Sequence, residues 1–430
     1  MYLCPMSNKV LKGKKRIIIA GGGFAGLQLA KKLNKADYDV LLIDKQNHHQ
    51  FQPLFYQVAS SRLEPSTISF PFRKIFQKYS NLNFILGELT GISPDENAVE
   101  TSRGKLFYDF LIIATGCDTN YFGNADIKKY CLPMKTTGEA IEIRNRILLG
   151  FEDLFSLSDT DNSARLNLVI VGAGATGVEL AGAFAEMKKS ILPKDYPGID
   201  FSEFRILLLE GSANTLNNMS LMARNASREY LEELGVTIMT EVFVTGYDGT
   251  TLTLSNNSTI QSKNVIWSAG VTGNIVQGLA KGSITRSNRY IVDRFNKVVG
   301  NKNIFAIGDI AYMETPKYPK GHPQVANVAI NQAKNLAANL GRLEKGTTLK
   351  EYEYFDMGSM ATIGKHRAVV DLPFVKFKGY FAWFVWMFLH LMLILSVRNK
   401  LMIFINWAWF YLTHDSSLRL IIDISKKKQA

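Results

Sequence analysis

A strand, a glycine-rich turn, a helix and a second strand ending in an acid occur twice in this chain, and this repeat constrains the fold most tightly. The first copy runs from Arg16-Ile-Ile-Ile-Ala20 through Gly21-Gly-Gly-Phe-Ala-Gly26 and a helix over Leu27–Leu33 to Val40-Leu-Leu-Ile43 and Asp44. The second runs from Leu166–Val171 through Gly172-Ala-Gly-Ala-Thr-Gly177 and a helix to Ala185. After an insert, Lys188 to Ser202, it closes on Phe204–Leu209 and Glu210. The strands are short, continuous apolar runs, the pattern of a parallel sheet buried on both faces. Two copies far apart are a duplicated functional unit, not a solenoid.

Each copy has the physics of a dinucleotide cradle. Gly21 permits the tight turn, Gly23 lets the backbone approach a pyrophosphate, and Gly26 lets helix and strand pack closely. The helix N-terminus then offers free N–H groups and partial positive charge to the phosphates. Asp44 is placed to accept hydrogen bonds from a ribose. Gly172, Gly174, Gly177 and Glu210 repeat the logic. A carboxylate at Glu210 favours a free 2′-hydroxyl and repels a 2′-phosphate, so NADH is expected over NADPH. Gly211 and Ser212 follow it, which leaves Arg205 and Arg224 as the cations able to fold back. Two cradles imply two dinucleotides, and a hydride needs a two-electron acceptor. The natural pair is a resident, non-covalent FAD and an exchanging NADH.

A chain of 430 residues needs two to three cores of this kind. Three further strand-then-turn segments supply them: Phe110–Gly116, Val265–Gly270 and Ile304–Asp309. The cysteines, Cys4, Cys117 and Cys131, form no Cys-x-x-Cys pair and no metal spacing, which fits a reducing cytosol. Met1 to Lys15 has lysines but no apolar core, so it does not read as a secretory signal. A net charge of +12 suits nucleic acid or an anionic membrane. No nucleic-acid motif accompanies it, and the membrane surface is the expectation.

From Gly379 the composition turns aromatic and aliphatic. Phe381 to Val397 is a run of seventeen residues whose only polar members are His390 and Ser396. A span needs about 17–25 residues. Arg398-Asn-Lys400 interrupts the run, and the twelve residues Leu401 to Leu412 are too few to cross. Trp383, Trp386, Trp407, Trp409 and Tyr411 are interface-type residues, and Lys376, Lys378, Arg398, Lys400, Arg419 and Lys426 to Lys428 suit anionic head groups. The expectation is a helical pair lying in or dipping into one leaflet, with a single span as second choice and a buried core hairpin last.

These features resemble the two-dinucleotide-binding flavoproteins and, within them, the type II NADH:quinone oxidoreductases. The resemblance is carried by the first glycine motif, Asn47-His-His-Gln-Phe-Gln-Pro-Leu-Phe-Tyr-Gln57, Ala114-Thr-Gly116, the second glycine motif with Glu179, Ala269-Gly270, Gly308-Asp309 and the tail from His366. It implies an α/β fold of two Rossmann-like domains, the NADH domain inserted in the FAD domain, followed by membrane-associated helices. The expected boundaries are 14–125 and 286–345 for FAD, 126–164 for a connector, 165–285 for NADH and 346–430 for the anchor. Gln57, Ala114, Thr115, Gly116, Asp309 and Gly270 join the cofactor-binding set, and Asp309 would meet the ribityl chain. The family's quinone motif, A-Q-x-x-x-Q, reads here with Asn327 and Asn331, and Gln332 is adjacent. The amide chemistry survives with a reach one methylene shorter.

The resemblance makes Glu179 the candidate for positioning or proton supply near nicotinamide and quinone, against the plain reading of an acid favoured at a helix start. His48 and His49 read as solvent-exposed or cofactor-packed before they read as an acid–base pair. Cys117 reads as a small buried filler before it reads as a flavin-reactive thiol. The implied reaction is non-pumping oxidation of NADH with two-electron reduction of a membrane quinone, at the cytoplasmic face of the inner or cytoplasmic membrane. A homodimer is plausible from the apolar surface. Two other readings stay open: a soluble ferredoxin- or rubredoxin-type reductase, and a redox-responsive FAD/NADH-binding protein.

Overall fold

The structure is a computed structural model and describes residues 13–156, 164–413, 415–416 and 418–422. Cys4 and Lys426 to Lys428 lie outside the described residues. In chain order, the elements used below begin with β1 (Lys15–Ala20), α1 (Phe24–Lys32), β2 (Tyr38–Asp44), α2 (Phe55–Ala59), β3 (Leu82–Leu86), β4 (Phe110–Ile113), β5 (Leu132–Pro133) and α3 (Thr137–Ser156). They continue with β6 (Asn167–Val171), α4 (Ala175–Ser190), β7 (Arg205–Leu209), β8 (Val236–Met239), β9 (Asn264–Trp267), β10 (Ile304–Ala306) and α5 (Ala326–Glu344). The last are β11 (Ser359–Thr362), β12 (Ala368–Asp371), β13 (Lys376–Gly379), α6 (Tyr380–Leu393) and α7 (Val397–Thr413).

Among the described residues the chain forms two compact units. One takes Met1–His49, Phe70–Asp118 and Val271–Asp356; the other takes Gln50–Ser69, Thr119–Gly270 and Met357–Ala430. In the first unit five parallel strands lie in the order β10-β4-β1-β2-β3, with Ile17 opposite Val40 on one side and Phe110 on the other. Ile17, Ile19 and Leu42 pack under Leu29 of α1 and Leu336 of α5. Ile18, Leu41 and Ile43 pack on Tyr290, Val292 and Ile310. Both faces are covered, which is why the strands read as unbroken apolar runs.

The second unit repeats the plan in the order β5-β9-β6-β7-β8, again parallel, with Val169 opposite Leu207 and Val265. The segment expected as a polar, partly helical connector supplies the long helix α3 and, beyond that expectation, the edge strand β5. Helix α4 runs on to Ser190, past the expected end at Ala185. A three-stranded antiparallel sheet, β11-β12-β13, leads into α6.

The apolar run Phe381–Val397 is not one helix. It breaks over Ile394–Ser396, and Arg398 and Lys400 stand in the first turn of α7 rather than between two helices. The reason is local hydrogen bonding. Lys400 Nζ donates to Met392 O (3.0 Å) and so satisfies a carbonyl at the end of α6, while Asn399 Nδ2, buried, donates to Thr67 O (2.8 Å). The fourteen residues of α6 span about 21 Å, short of a hydrocarbon core of about 30 Å. Among the described residues no helix is long and apolar enough to cross a membrane. Ala382, Trp386 and Ile403 are buried, whereas Phe381, Phe384, Phe388, Leu401, Phe404 and Leu412 are exposed.

Candidate active site

The first cradle sits between β1 and α1. A Cβ on Gly21 would lie 2.2 Å from Ala114 O, and one on Gly26 would lie 1.8 Å from Gly21 O, so both positions exclude a side chain. A Cβ on Gly23 would meet nothing within 4 Å. The backbone at the helix N-terminus therefore faces open space, as a pyrophosphate requires. Asp44 braces the turn: Oδ2 accepts from Gly22 N and Oδ1 from Gln46 N, each at 2.6 Å, and burial holds its carboxyl above the usual range. The residues fit a dinucleotide.

Two residues roof this turn. A Cβ on Gly22 would lie 2.2 Å from the ring of Phe72, itself fully buried. His49 Nδ1 donates to Gly22 O (3.0 Å), and its ring meets Phe24 edge-on at 5.3 Å. Burial pushes His49 down to about 4, so it is neutral and committed to the cradle. His48 is half-buried and bonds to Asn47 Oδ1 (2.8 Å).

The second cradle has the same steric signature. A Cβ on Gly172 would lie 2.9 Å from Ala269 Cα, one on Gly177 would lie 1.8 Å from Gly172 O, and one on Gly174 would meet nothing within 4 Å. Glu210 braces it: Oε2 accepts from Ala173 N (2.7 Å) and Oε1 from Ser212 N (2.8 Å). Arg205 Nε donates to Asn167 Oδ1 (3.0 Å) and Arg224 Nε to Met219 O (2.9 Å), so both cations are engaged away from Glu210. Two exposed rings flank this cradle. Phe243, 62% exposed, lies against Gly211, and Phe122, 68% exposed, lies against Gly270, whose φ is +80°. Neither ring was singled out by sequence pattern.

The far end of the first unit is a cluster of turns. Asn274 clamps Ala114-Thr115-Gly116: its N donates to Gly116 O (3.1 Å), its Nδ2 to Thr115 O (3.2 Å), and its O accepts from Thr115 Oγ1 (2.7 Å). Cys117, half-buried rather than a buried filler, donates its thiol to Asp309 Oδ2 (3.0 Å). Gly308, at φ +76°, donates N–H to Gln332 Oε1 (2.8 Å). Gln332 is fully buried, so its carbonyl end belongs to this turn. Asn327 and Asn331 form a separate pair one helical turn apart, with Asn331 Nδ2 donating to Asn327 Oδ1 (2.7 Å). The one-residue offset between Asn331 and Gln332 is what turns the two amides to different faces of α5.

Glu179 lies on α4 in the second unit, 8% exposed, and burial raises its carboxyl to about 8. Thr362 N approaches its Oε1 at 3.4 Å. From Thr362 a chain of hydrogen bonds runs outward. Thr362 Oγ1 pairs with Tyr56 OH (2.9 Å), Gln57 Nε2 donates to Tyr56 OH (3.0 Å), and Trp407 Nε1 donates to Gln57 Oε1 (2.7 Å). Both ends of the Gln57 amide are thus engaged within this chain, which ties α7 to the surroundings of Glu179. Sequence reasoning gave Trp407 only an interface role, quoted Tyr56 only within a motif and did not single out Thr362, because the bonds Tyr56–Thr362 and Trp407–Gln57 join residues distant in sequence.

Residues 15–333 match the pyridine nucleotide-disulphide oxidoreductase family, and residues 357–414 match the NDH2 C-terminal domain. The type II NADH:quinone oxidoreductase Ndh of Mycobacterium tuberculosis is 34% identical over 416 residues, covering 93% of this chain and 89% of that protein. A type II NADH:quinone oxidoreductase of Staphylococcus aureus is 26% identical, covering 86% and 93%. NDH2 of Plasmodium falciparum, solved with NADH, superposes with a TM-score of 0.86 at 23% identity, covering 95% of this chain and all of that one.

Proposed function

This chain belongs to the type II NADH:quinone oxidoreductases, within the pyridine nucleotide-disulphide oxidoreductase family, and on that premise we propose how its own residues serve the reaction. The enzyme oxidises NADH, uses FAD as its cofactor and reduces a quinone. When bound, the flavin and the nicotinamide supply the hydride chemistry. The observation that carries the reading is the doubled cradle, in which only Gly23 and Gly174 are sterically open.

Gly21, Gly23, Gly26 and Asp44 hold FAD. Its isoalloxazine end is the assignment for Ala114, Thr115 and Gly116 and its ribityl chain that for Asp309, with Cys117 and Gly308 shaping the turns. Gly172, Gly174, Gly177, Glu210 and Gly270 hold NADH, with Phe243 and Phe122 as flanking rings. Asn327 and Asn331 face quinone with their amides, and Gln332 serves by holding Gly308. Glu179 carries a proton at neutral pH, because an apolar surrounding disfavours its charge. Tyr56, held by Gln57, which Trp407 holds in turn, keeps that acid's neighbour Thr362 in place. The exposed apolar faces of α6 and α7 meet the lipid surface, where Trp383 and Trp409 sit at interface depth.

Stopped-flow spectroscopy tests the assignment. Flavin bleaching by low NADH is expected to outpace bleaching by NADPH, and menaquinone or ubiquinone analogues are expected to reoxidise the flavin. Reoxidation should slow as pH rises through about 8, where Glu179 loses its proton. Glu179→Gln should abolish that inflection and slow reoxidation about 100-fold, with bleaching intact. Flavin that bleaches and is reoxidised by no lipophilic acceptor sinks the reading.

A further inference from the structure

The hairpin of β12 and β13 has no part in the reaction described above. Leu372 N donates to Val375 O (2.9 Å), which closes a tight turn with Pro373 and Phe374 at its tip. Phe374 is 94% exposed, and Val375 beside it is exposed as well. Hairpin turns favour Gly, Asn, Asp and Ser, because those residues supply the backbone angles or the local hydrogen bonds of the turn. A phenyl ring supplies neither, and this one is not in the core.

One exposed ring alone is ordinary, but Phe374 ends a row. Val375 and Phe377, two residues apart on an extended segment, point to the same face. The ring of Phe377 meets that of Phe381 at 5.4 Å, and Phe381 lies in the first turn of α6. Phe381, Phe384 and Phe388, spaced by three and four, form a stripe along one face of α6, and all three are exposed. The exposed apolar surface of α6 thus continues past the start of the helix and out to the hairpin tip. The cations stand off this row. Lys378 points to the opposite face of β13, where its Nζ donates to Glu229 Oε2 (3.2 Å), and Lys376 shares that face.

The shape of the row says what covers it. A protein partner needs a pocket matched to a protruding apex, whereas a fluid lipid phase takes a protruding ring without one. We propose that the tip Pro373–Val375 inserts into a lipid bilayer as a wedge beside α6, with Lys376, the residue behind it, at head-group depth. The proposal rests on the lipid-facing assignment of α6 and α7. It adds a third contact to theirs, made by a β-hairpin and not by a helix.

The test uses the full chain with its flavin and vesicles of phosphatidylglycerol in phosphatidylcholine. Binding is read by co-sedimentation for the parent, Phe374→Ser, Phe374→Leu and, on α6, Phe388→Ser. Phe374→Ser should weaken binding about ten-fold, the scale for withdrawing one phenyl ring from an apolar phase. Phe374→Leu should keep most of the affinity, and flavin bleaching by NADH should be unchanged in both. Phe374→Cys carrying an NBD fluorophore should shift to the blue and resist iodide quenching once vesicles are added. The parent, labelled in the same way, gives the signal of its own cysteines. Parent-like binding by Phe374→Ser beside weak binding by Phe388→Ser would overturn the wedge and leave α6 on the lipid, and so would a label that stays open to iodide. A parent that binds no vesicle would overturn the lipid-facing assignment and the wedge with it. If Phe374→Ser instead halves the particle mass in light scattering without lipid, the row belongs to a second copy of this chain and the wedge is overturned.

Discussion

In the first unit the glycine turn lies beneath Phe72 and His49, whereas in the second the corresponding turn is flanked by Phe243 and Phe122, rings left largely exposed. The steric signature of the turns is otherwise shared: two glycines closed to a side chain, one open, and an acid bonded to the backbone of the turn. The roof makes the difference. A covered cradle suits a cofactor that stays through many turnovers, and an open one suits a nucleotide that leaves after each. What distinguishes the two cradles is thus the neighbouring side chains rather than the phosphate motif.

Phe72→Ala breaks the comparison most severely. Loss of a fully buried ring should cost about 3–5 kcal/mol in denaturant unfolding and release flavin. Phe243→Ala, at an exposed site, should leave stability within about 0.5 kcal/mol and raise KM for NADH several-fold. Equal destabilisation by the two would remove the distinction between roofed and open.

Gly23→Ala and Gly174→Ala come next, since neither Cβ meets protein and both backbones are extended. The first should lower flavin content about 100-fold at limiting FAD, roughly 3 kcal/mol, with little change in melting of the flavin-free protein. The second should keep its flavin and raise KM for NADH. Flavin loss from Gly174→Ala would show that the cradles are wrongly assigned.

Acid sensitivity sharpens the contrast. His49 is held near 4, below an unfolded value of about 6.5, so its contribution is full above pH 6.5 and fades as pH falls towards 4. The slope is at most about 1.4 kcal/mol per pH unit for one proton. His322 and His390 are lowered to about 4 as well, so the readout is flavin release compared between parent and His49→Gln. The parent should release flavin more steeply between pH 6.5 and 5 than the variant. Identical slopes would remove His49 from the roof.

The smallest effect concerns nucleotide choice. Glu210→Gln should shrink the preference for NADH over NADPH about ten-fold in kcat/KM, near 1.4 kcal/mol. Asp44→Asn, its counterpart, should alter flavin retention and leave the preference alone.

Much of the site was legible because cradle chemistry is local. Gly21, Gly23, Gly26 and Asp44 fall within one strand–helix–strand unit, and so do Gly172, Gly174, Gly177 and Glu210, so spacing alone fixes their geometry. The clamp of Asn274 on Gly116 was not legible, nor was the run from Trp407 through Gln57 and Tyr56 to Thr362. Those partners are joined by the folded chain and not by any periodicity. Hydropathy put the break between the tail's helices at Arg398-Asn-Lys400 rather than over Ile394–Ser396, because Ile394 and Leu395 are as apolar as the helix before them, and Lys400 and Asn399 end it by bonding elsewhere.

The sequence by itself determined two parallel-sheet units, a pair of phosphate cradles and an apolar aromatic tail, since glycine sterics and hydrophobic period act over a few residues. The tertiary structure decided which cradle is roofed, which amide of α5 turns inward, and where the break between the tail's two helices falls. Those choices depend on burial and on hydrogen bonds between residues hundreds of positions apart, such as Asn399 with Thr67, and only a folded chain brings such partners within reach.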